Sequence, residues 1–375
     1  SATAAQEMAA HEENAQRTQN LDEIAAVNFR LIDEPPQTFR EACQWVTWYL
    51  MAARMYNGSG ALGRLDVLLT PFYERDTAAG RLTDDEAAFH IACMFLRDTA
   101  YVQLGGPDAA GHDVTNRVSY LVLDAIDRLK VPANVGVCVG SQTDPDLLRR
   151  GVEMQFAHRM GFPKFLGIDS TVQGLICNGF PAETARERAY SGCHWSAVPG
   201  REYAMCDIVK INFAAIFRVA LMEMMAEATT ERSVNALWQG FERHLKRAIE
   251  VIAEGLAFHL EHMHQVFPEL VLDLLCHGPI EKGKDASCGG VEIYNLGLDG
   301  AALATVADSF AAVEQRVERE SRLSWQDLMR HLDANWGEPG SERVRLMLKS
   351  VPRYGSGGSR ADSWAQRVVK TFTRL

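Results

Sequence analysis

Apolar residues recur at helical spacing from Thr38 to Tyr56, where Phe39, Cys43, Val46, Trp48, Leu50 and Met51 meet few breakers. The turn residues Asn57-Gly58-Ser59-Gly60 then end the run, which predicts a helix followed by a turn. Thr83 and Glu86 form a Thr-x-x-Glu capping box ahead of a helix predicted over Ala87 to Val102, stopped by Leu104-Gly105-Gly106-Pro107. A further helix is predicted from Val114 to Leu129. Asn134 to Val139 is short, rich in valine and bounded by Pro132 and Gly140, the pattern of a buried strand. A helix from Asp144 to Met160, a strand from Pro163 to Ile168 and a helix from Pro181 to Tyr190 follow, the last opened by proline. Strand and helix alternate as in an α/β barrel.

Ile211 to Glu227 is strongly apolar and predicts a packing helix, and Ser233 to Met263 predicts a long amphipathic helix with a charged outer face. Ala302 to Glu318 and Ser324 to Trp336 predict two more, the second opened by Ser324 with Asp327 three residues on. Gly355 to Ser359 reads as a flexible loop and Ser359 to Leu375 as a polar helical tail. With no internal repeat and no linker before Gly355, residues 1–375 are expected to form a single barrel portion.

Composition sharpens this picture without changing it. The chain has 375 residues, long enough for two domains, but large barrels fold as one at this length. Hydrophobic residues make up 47% and charged residues 23%, the balance of a globular protein with a substantial core. The formal charge is −11, and no Lys/Arg stripe is present, which argues against nucleic acid as a partner. The eight cysteines are scattered with no CxxC pair, as expected of free thiols in a reducing compartment. No run of about 18 to 20 apolar residues occurs, so no membrane span is expected. The polar start, Ser1 to Asn20, lacks the pattern of a signal peptide, and a cytoplasmic location is the expectation. The start on a residue other than Met hints at a tag scar or a cut chain.

Most chemistry-bearing residues have an ordinary alternative. A lone cysteine such as Cys193 is most often a buried structural thiol. Cys193-His194 as a hydrolase pair would need a third, orienting residue, and none is evident. His259, His262 and His264, with Cys276 and His277 beyond, suggest a metal site, but on a helix His264 turns away from the face that His259 and His262 share. The expectation is no metal. Asp84-Asp85-Glu86 compensates a helix dipole.

The segment from Ala189 to Arg201 stands apart: a Gly192-Cys193 pair on a glycine-flanked loop, followed by Pro199-Gly200. This resembles the radical-cysteine loop of the glycyl radical enzymes, the pyruvate formate-lyase and radical dehydratase group. Other stretches resemble that family in the same order. Leu62-Gly63-Arg64-Leu65-Asp66 with Pro71-Phe72-Tyr73-Glu74 is similar to its LGR-x-D and PYYE segments. Asp113 to Leu121 is similar to its D-x-T-N-x-L-S-Y-L segment, and Gly161 to Phe165 to its G-x-P-x-F strand. Lys284-Asp285 with Gly289-Gly290 and Tyr294-Asn295 is similar to its K-D-x-T-x-G-G-x-x-Y-N segment, and Ala307-Asp308-Ser309 matches its A-D-S helix. Together these cover about residues 20 to 365, and such an order is hard to reach by chance.

The resemblance implies an α/β fold: a ten-stranded barrel of two antiparallel halves, each of parallel strands, surrounded by helices and partial in this chain at both ends. It implies that Cys193 is the catalytic thiol, oxidised to a thiyl radical that takes hydrogen from a small organic substrate. No bound cofactor is implied in this chain. The oxidant would be a protein-derived glycyl radical installed by a radical-SAM activating enzyme. Its motif, Arg-Val-x-Gly-Tyr/Phe, does not occur here; the nearest string, Arg117-Val118-Ser119-Tyr120, lacks the glycine. The radical would then lie on a continuation of the protein, or on a second chain or homodimer partner. A portion missing strands is expected to be unstable alone or to associate through its edges.

Two departures bear on the reaction. Dehydratases of the family carry a glutamate base two residues after the cysteine, where this chain has Trp195, and pyruvate formate-lyase has a second cysteine where this chain has His194. His194 is either a replacement base or a loop residue, and Trp195 either a substrate wall or core filler. By register, Cys206 and Lys210 fall where relatives contact substrate on the following helix, with Lys210 a candidate for a substrate carboxylate or a snorkelling surface residue. Phe165 is a further substrate-binding candidate. A radical lyase or dehydratase is the leading expectation. A decarboxylase or C–C lyase acting on an aryl or alkyl acid, and a silent scaffold of the same fold, are the alternatives.

Overall fold

The structure is a computed structural model that describes residues 2–56, 61–192, 195–228 and 231–375. Four short runs form a parallel sheet in the order β1 (Ala61–Arg64), β2 (Tyr101–Leu104), β3 (Val135–Val139) and β4 (Lys164–Gly167). Helices fill each connection: Leu65–Ala78 and Asp84–Arg97 between β1 and β2, Arg117–Leu129 between β2 and β3, and Pro145–His158 between β3 and β4. A parallel sheet must be covered on both faces. On one face Val102, Leu104, Val135 and Val137 join Phe39, Leu65, Ile91, Phe95 and Val122 in the largest apolar core. Gln103, Cys138, Leu166 and Ile168 belong to the other. Gly136 is needed there, because a Cβ at that position would collide with Leu166.

The helix predicted to run to Val102 stops at Arg97, capped by Asp98, and Tyr101–Leu104 is a strand hydrogen-bonded to β1 and β3. The capping box of Thr83 and Glu86 is present as expected. The helix predicted over 181–190 ends at Glu187, and Ala189–Tyr190 is a short strand. In both places a strand partner far along the chain overrides the local helical pattern.

The chain divides into two compact units, residues 1–204 with 268–295, and residues 205–267 with 296–375. The second is built on the helix Val234–Val266, whose first half packs against Phe213–Ala226, while Leu303–Val313 packs against Arg360–Arg374. Gly240 lets the first pair approach: a Cβ there would sit 3.3 Å from Ala220. Trp238, Phe241, Phe310 and Trp364 form an aromatic cluster, with Phe310 stacked on Trp364 at 4.5 Å. The segment expected as a polar tail is therefore amphipathic, burying Ala361, Trp364, Ala365, Val368 and Thr371. Among the described residues no helix is long and apolar enough to cross a membrane.

In the first unit one carboxylate ties the sheet to its connections. Asp66 is fully buried and accepts hydrogen bonds from Gly105 N at 2.8 Å, Ser119 Oγ at 2.6 Å and Val67 N at 2.9 Å. Burial pushes its carboxyl up, and these donors pull it back. Asp113 extends the arrangement, accepting from Gly106 N at 3.0 Å and Asp144 N at 3.1 Å. Three stretches separated in sequence thus meet through backbone donors.

Removing the Asp66 acceptor strands a buried hydroxyl and a buried amide, so Asp66→Ala is expected to cost about 2 to 5 kcal/mol and Asp66→Asn less. Denaturant unfolding of the two variants checks this, and equal stability to the parent would contradict it. Thiol chemistry gives a second expectation. Cys43 and Cys138 are buried, and burial raises both thiols, Cys138 to about 12, whereas Cys177 and Cys288 are exposed. Alkylation near pH 8 followed by peptide mass spectrometry should label Cys177 and Cys288 first, with Cys43 and Cys138 labelled only on unfolding.

Candidate active site

The segment singled out in the sequence folds as a β-hairpin. Ala189–Tyr190 pairs antiparallel with Ser196–Ala197, and Ser191 N donates to Trp195 O at 3.1 Å. Cys193 and His194 lie outside the described residues. What the structure describes is the frame that carries them.

That frame is anchored to the sheet. Gln103, fully buried on β2, accepts from Tyr190 N at 2.9 Å and donates to Gly105 O at 3.2 Å. Ala189 and Pro199 both lie 3.5 Å from where a Cβ would sit on Gly63 of β1, a residue held at φ +60°. Arg64, next along, donates to Arg186 O, Arg188 O and Pro107 O. Tyr190 packs on Cys138, Leu166 and Ile168.

An ion pair closes the base. Arg188 Nη2 lies 2.6 Å from Glu202 Oε1, with side chains 2% and 0% exposed. Arg188 Nη2 also donates to Ser196 O at 2.7 Å, and Nε to Ser196 Oγ at 3.3 Å. The second oxygen of Glu202 accepts from Val198 N at 2.9 Å. The guanidinium sits 5.1 Å from the Phe180 ring centroid, a cation–π contact.

After the hairpin, Gly200 adopts φ +73°, which favours glycine, and its carbonyl accepts from His277 N at 2.8 Å. His277 packs its ring against Gly200. Arg201 makes a two-pronged pair with Glu292 at 2.8 and 2.9 Å and reaches Glu187 at 3.0 Å. Tyr203 donates to the buried Glu269 at 3.1 Å, and Glu269 N donates to Asp285 at 2.7 Å. The Lys284-Asp285 stretch noted in the sequence therefore braces the chain just beyond the loop.

The other sequence candidates fall in different places. Trp195 folds back on the hairpin, since a Cβ on Gly192 would lie 2.5 Å from its Cδ1. Phe165 is turned to the helix side of β4, 3.2 Å from where a Cβ would sit on Gly151, and is not brought to the hairpin. Cys206 and Lys210 lie on the strand Glu202–Asn212, not on a helix, because the β-branched residues Ile208, Val209 and Ile211 suit a strand. Lys210 is exposed, and the side chain of Cys206 lies outside the described residues. Gln103, Arg188 and Glu202 were not singled out from sequence; the one available signal is a charged residue on each side of the Gly-Cys loop.

A cavity of about 360 Å³ opens at the carboxyl ends of β2, β3 and β4, lined in part by Gly106, Asp113, Ser141, Asp169 and Arg186. Its carboxylates are engaged by the loops themselves, Asp113 as described and Asp169 by Ser141 N at 2.8 Å. Among the described residues no group of three or more His, Cys, Asp or Glu could hold a metal ion. His262 bonds Phe258 O at 2.9 Å and stacks on the Phe258 ring.

Comparison with known proteins supplies the family. The sequence model of the family described as pyruvate formate lyase-like matches residues 1–375. The trans-4-hydroxy-L-proline dehydratase of Clostridioides difficile is 26% identical over 98% of this chain and 51% of its own length. The isethionate sulfite-lyase of Oleidesulfovibrio alaskensis is 27% identical over 97% of this chain and 48% of its own. Among solved structures, that of the hydroxyproline dehydratase from Clostridioides difficile with trans-4-hydroxy-L-proline bound superposes with a TM-score of 0.89 at 24% identity. It covers 100% of this chain and 52% of that one. The chain thus spans about half the length of the relatives it matches, and its fold is that of the glycyl radical enzyme barrels. On the match of the family model to all its residues, the chain belongs to the pyruvate formate lyase-like family of glycyl radical enzymes.

Proposed function

We propose that this chain carries the hydrogen-abstracting cysteine of an anaerobic radical lyase or dehydratase, with Cys193 as the working thiol. The observation that carries the reading is the Gly192-Cys193 loop on a hairpin whose base is closed by buried charge and fixed to the sheet. The named activities of the relatives, a dehydratase and a sulfite-lyase, support the broad reaction class.

Physical chemistry suits this role. An S–H bond is close in strength to many C–H bonds, so a thiyl radical exchanges hydrogen with carbon reversibly, and the thiol must be neutral rather than a thiolate. A glycyl radical carried outside this chain and installed by a radical-SAM activating enzyme would supply the oxidising equivalent. Cys193 then takes one hydrogen atom from the substrate, and the substrate radical eliminates or fragments. The product radical regains that hydrogen from the thiol, so the cycle needs no net oxidant.

His194 is the proposed base, because Trp195 occupies the position where eliminases of the family carry glutamate and an indole cannot accept a proton. Lys210 is the proposed partner for a substrate carboxylate. Phe165, facing the helices, has no part in this proposal. A second reading, radical decarboxylation or C–C cleavage of an aryl or alkyl acid, is favoured by the apolar Trp195 covering Gly192.

In the full-length protein, activated anaerobically, Cys193→Ala should keep the glycyl radical signal in electron paramagnetic resonance. It should lower turnover below about one part in a thousand. Turnover is read with trans-4-hydroxy-L-proline, isethionate, 1,2-propanediol and an arylacetate as probes; product formed at the parent rate by Cys193→Ala would overturn the reading. Trp195→Glu separates the two reaction types. Gain of dehydration of 1,2-propanediol with loss of CO2 release from the arylacetate supports decarboxylation as the native reaction, and no change in either counts against it.

A further inference from the structure

We infer that Arg188 and Glu202 are positioning residues for Cys193: their ion pair closes residues 188–202 into a frame that fixes the thiol relative to the sheet. The inference rests on the reading of Cys193 as the hydrogen-abstracting thiol.

The pair is poorly explained by stability. Two charges buried this deeply lose their hydration, and an apolar pair of similar volume commonly serves the fold as well or better. Its hydrogen bonds instead run into the loop. Glu202 divides its oxygens between Arg188 and Val198 N, and Arg188 divides its donors between Glu202 and Ser196. The strand Ala189–Tyr190 leaves directly from Arg188, and Ser196 and Val198 lie on the returning arm. Both arms are therefore referred to one planar guanidinium, itself set over the face of Phe180. A lysine has no second arm for this task.

Hydrogen transfer needs donor and acceptor atoms in contact, and a misplacement of about 1 Å costs about 100-fold in rate. Release of the frame should therefore move the thiol without touching the chemistry of sulfur.

The test uses the full-length protein. Arg188→Met/Glu202→Leu removes both charges together, so neither is stranded. Glu202→Gln keeps the shape, but its amide oxygen replaces two carboxylate acceptors. Before activation, amide hydrogen exchange should rise about tenfold or more across 189–201 in the double variant, with the helix Arg117–Leu129 unchanged. After activation in deuterated buffer, the hydrogen on the radical glycine reports thiol contact. The glycyl radical takes deuterium from Cys193–SD to give a C–H/C–D glycine and a thiyl radical. Return of the protium to sulfur then leaves a deuterated glycyl radical, and the resonance doublet collapses. The double variant should keep the radical yield, slow this collapse, and lower kcat about 100-fold with KM nearly constant. Glu202→Gln should fall between it and the parent.

Unchanged hairpin exchange with parent kcat in the double variant would overturn the inference, as would a loss of kcat matched by a loss of radical yield or of protection across 117–129. Should the double variant fail to fold, Arg188→Lys decides: it keeps the charge and loses the reach to Ser196, and parent-level kcat in it refutes the assignment. Cys193→Ala run in parallel guards the underlying reading. If its doublet collapses like the parent's, Cys193 is not the relay, whatever the frame variants do.

Discussion

A carboxylate without access to water must be met by donors, and at Asp66 those donors come from Gly105, Ser119 and Val67. This obligation connects the end of β1 to the turn after β2 and to the helix that follows. The glycines after β2 are part of the same constraint, since a Cβ on Gly105 would lie 2.6 Å from Thr115 Oγ1 and one on Gly106 would lie 2.9 Å from Cys138 Sγ. With that corner fixed, β2 is held between its neighbours and Gln103 is aimed at the hairpin. The loop that carries Cys193 thus depends on a carboxylate buried at the start of the helix that follows β1.

Much of this architecture is legible in the sequence because its signals are local. Thr83 with Glu86, Ser233 and Ser324 announce helices, and the valines of 135–139 between proline and glycine announce a strand; all are present, although the helix opened by Thr83 ends at Arg97. Tyr101–Leu104 was not legible, since four residues after a helix with no glycine or proline between them carry no period of their own. The amphipathic face of Arg360–Arg374 was obscured by its many charged residues, although Trp364 and Val368 share one side. The loop itself stood out by its glycines. Its clamp did not, because an arginine and a glutamate fourteen positions apart announce nothing until the fold brings them together.

Both units have an apolar core, and they differ in what is buried beside it. In the first, buried polar groups with assigned partners, Asp66, Gln103, Arg188 and Glu202, set positions near the hairpin. In the second, aromatic rings do the packing, and Arg367 lies 4.1 Å from the Trp238 ring centroid at the edge of that cluster. Directional bonds specify geometry, whereas apolar contacts tolerate small shifts. The bonding is directional where the proposed chemistry demands placement.

The closed base of the hairpin separates two kinds of information in one short stretch of chain. Residues 188, 196, 198 and 202 determine where the loop is, and none of them needs to know what it will act on. Position 195 lies between the two arms, and its side chain is not one of the groups that close the base. A frame of this kind lets the interior be rewritten while the reactive atom stays in register, so the occupant of position 195 can change from an acid to an indole as an exchange of contents within an unaltered container.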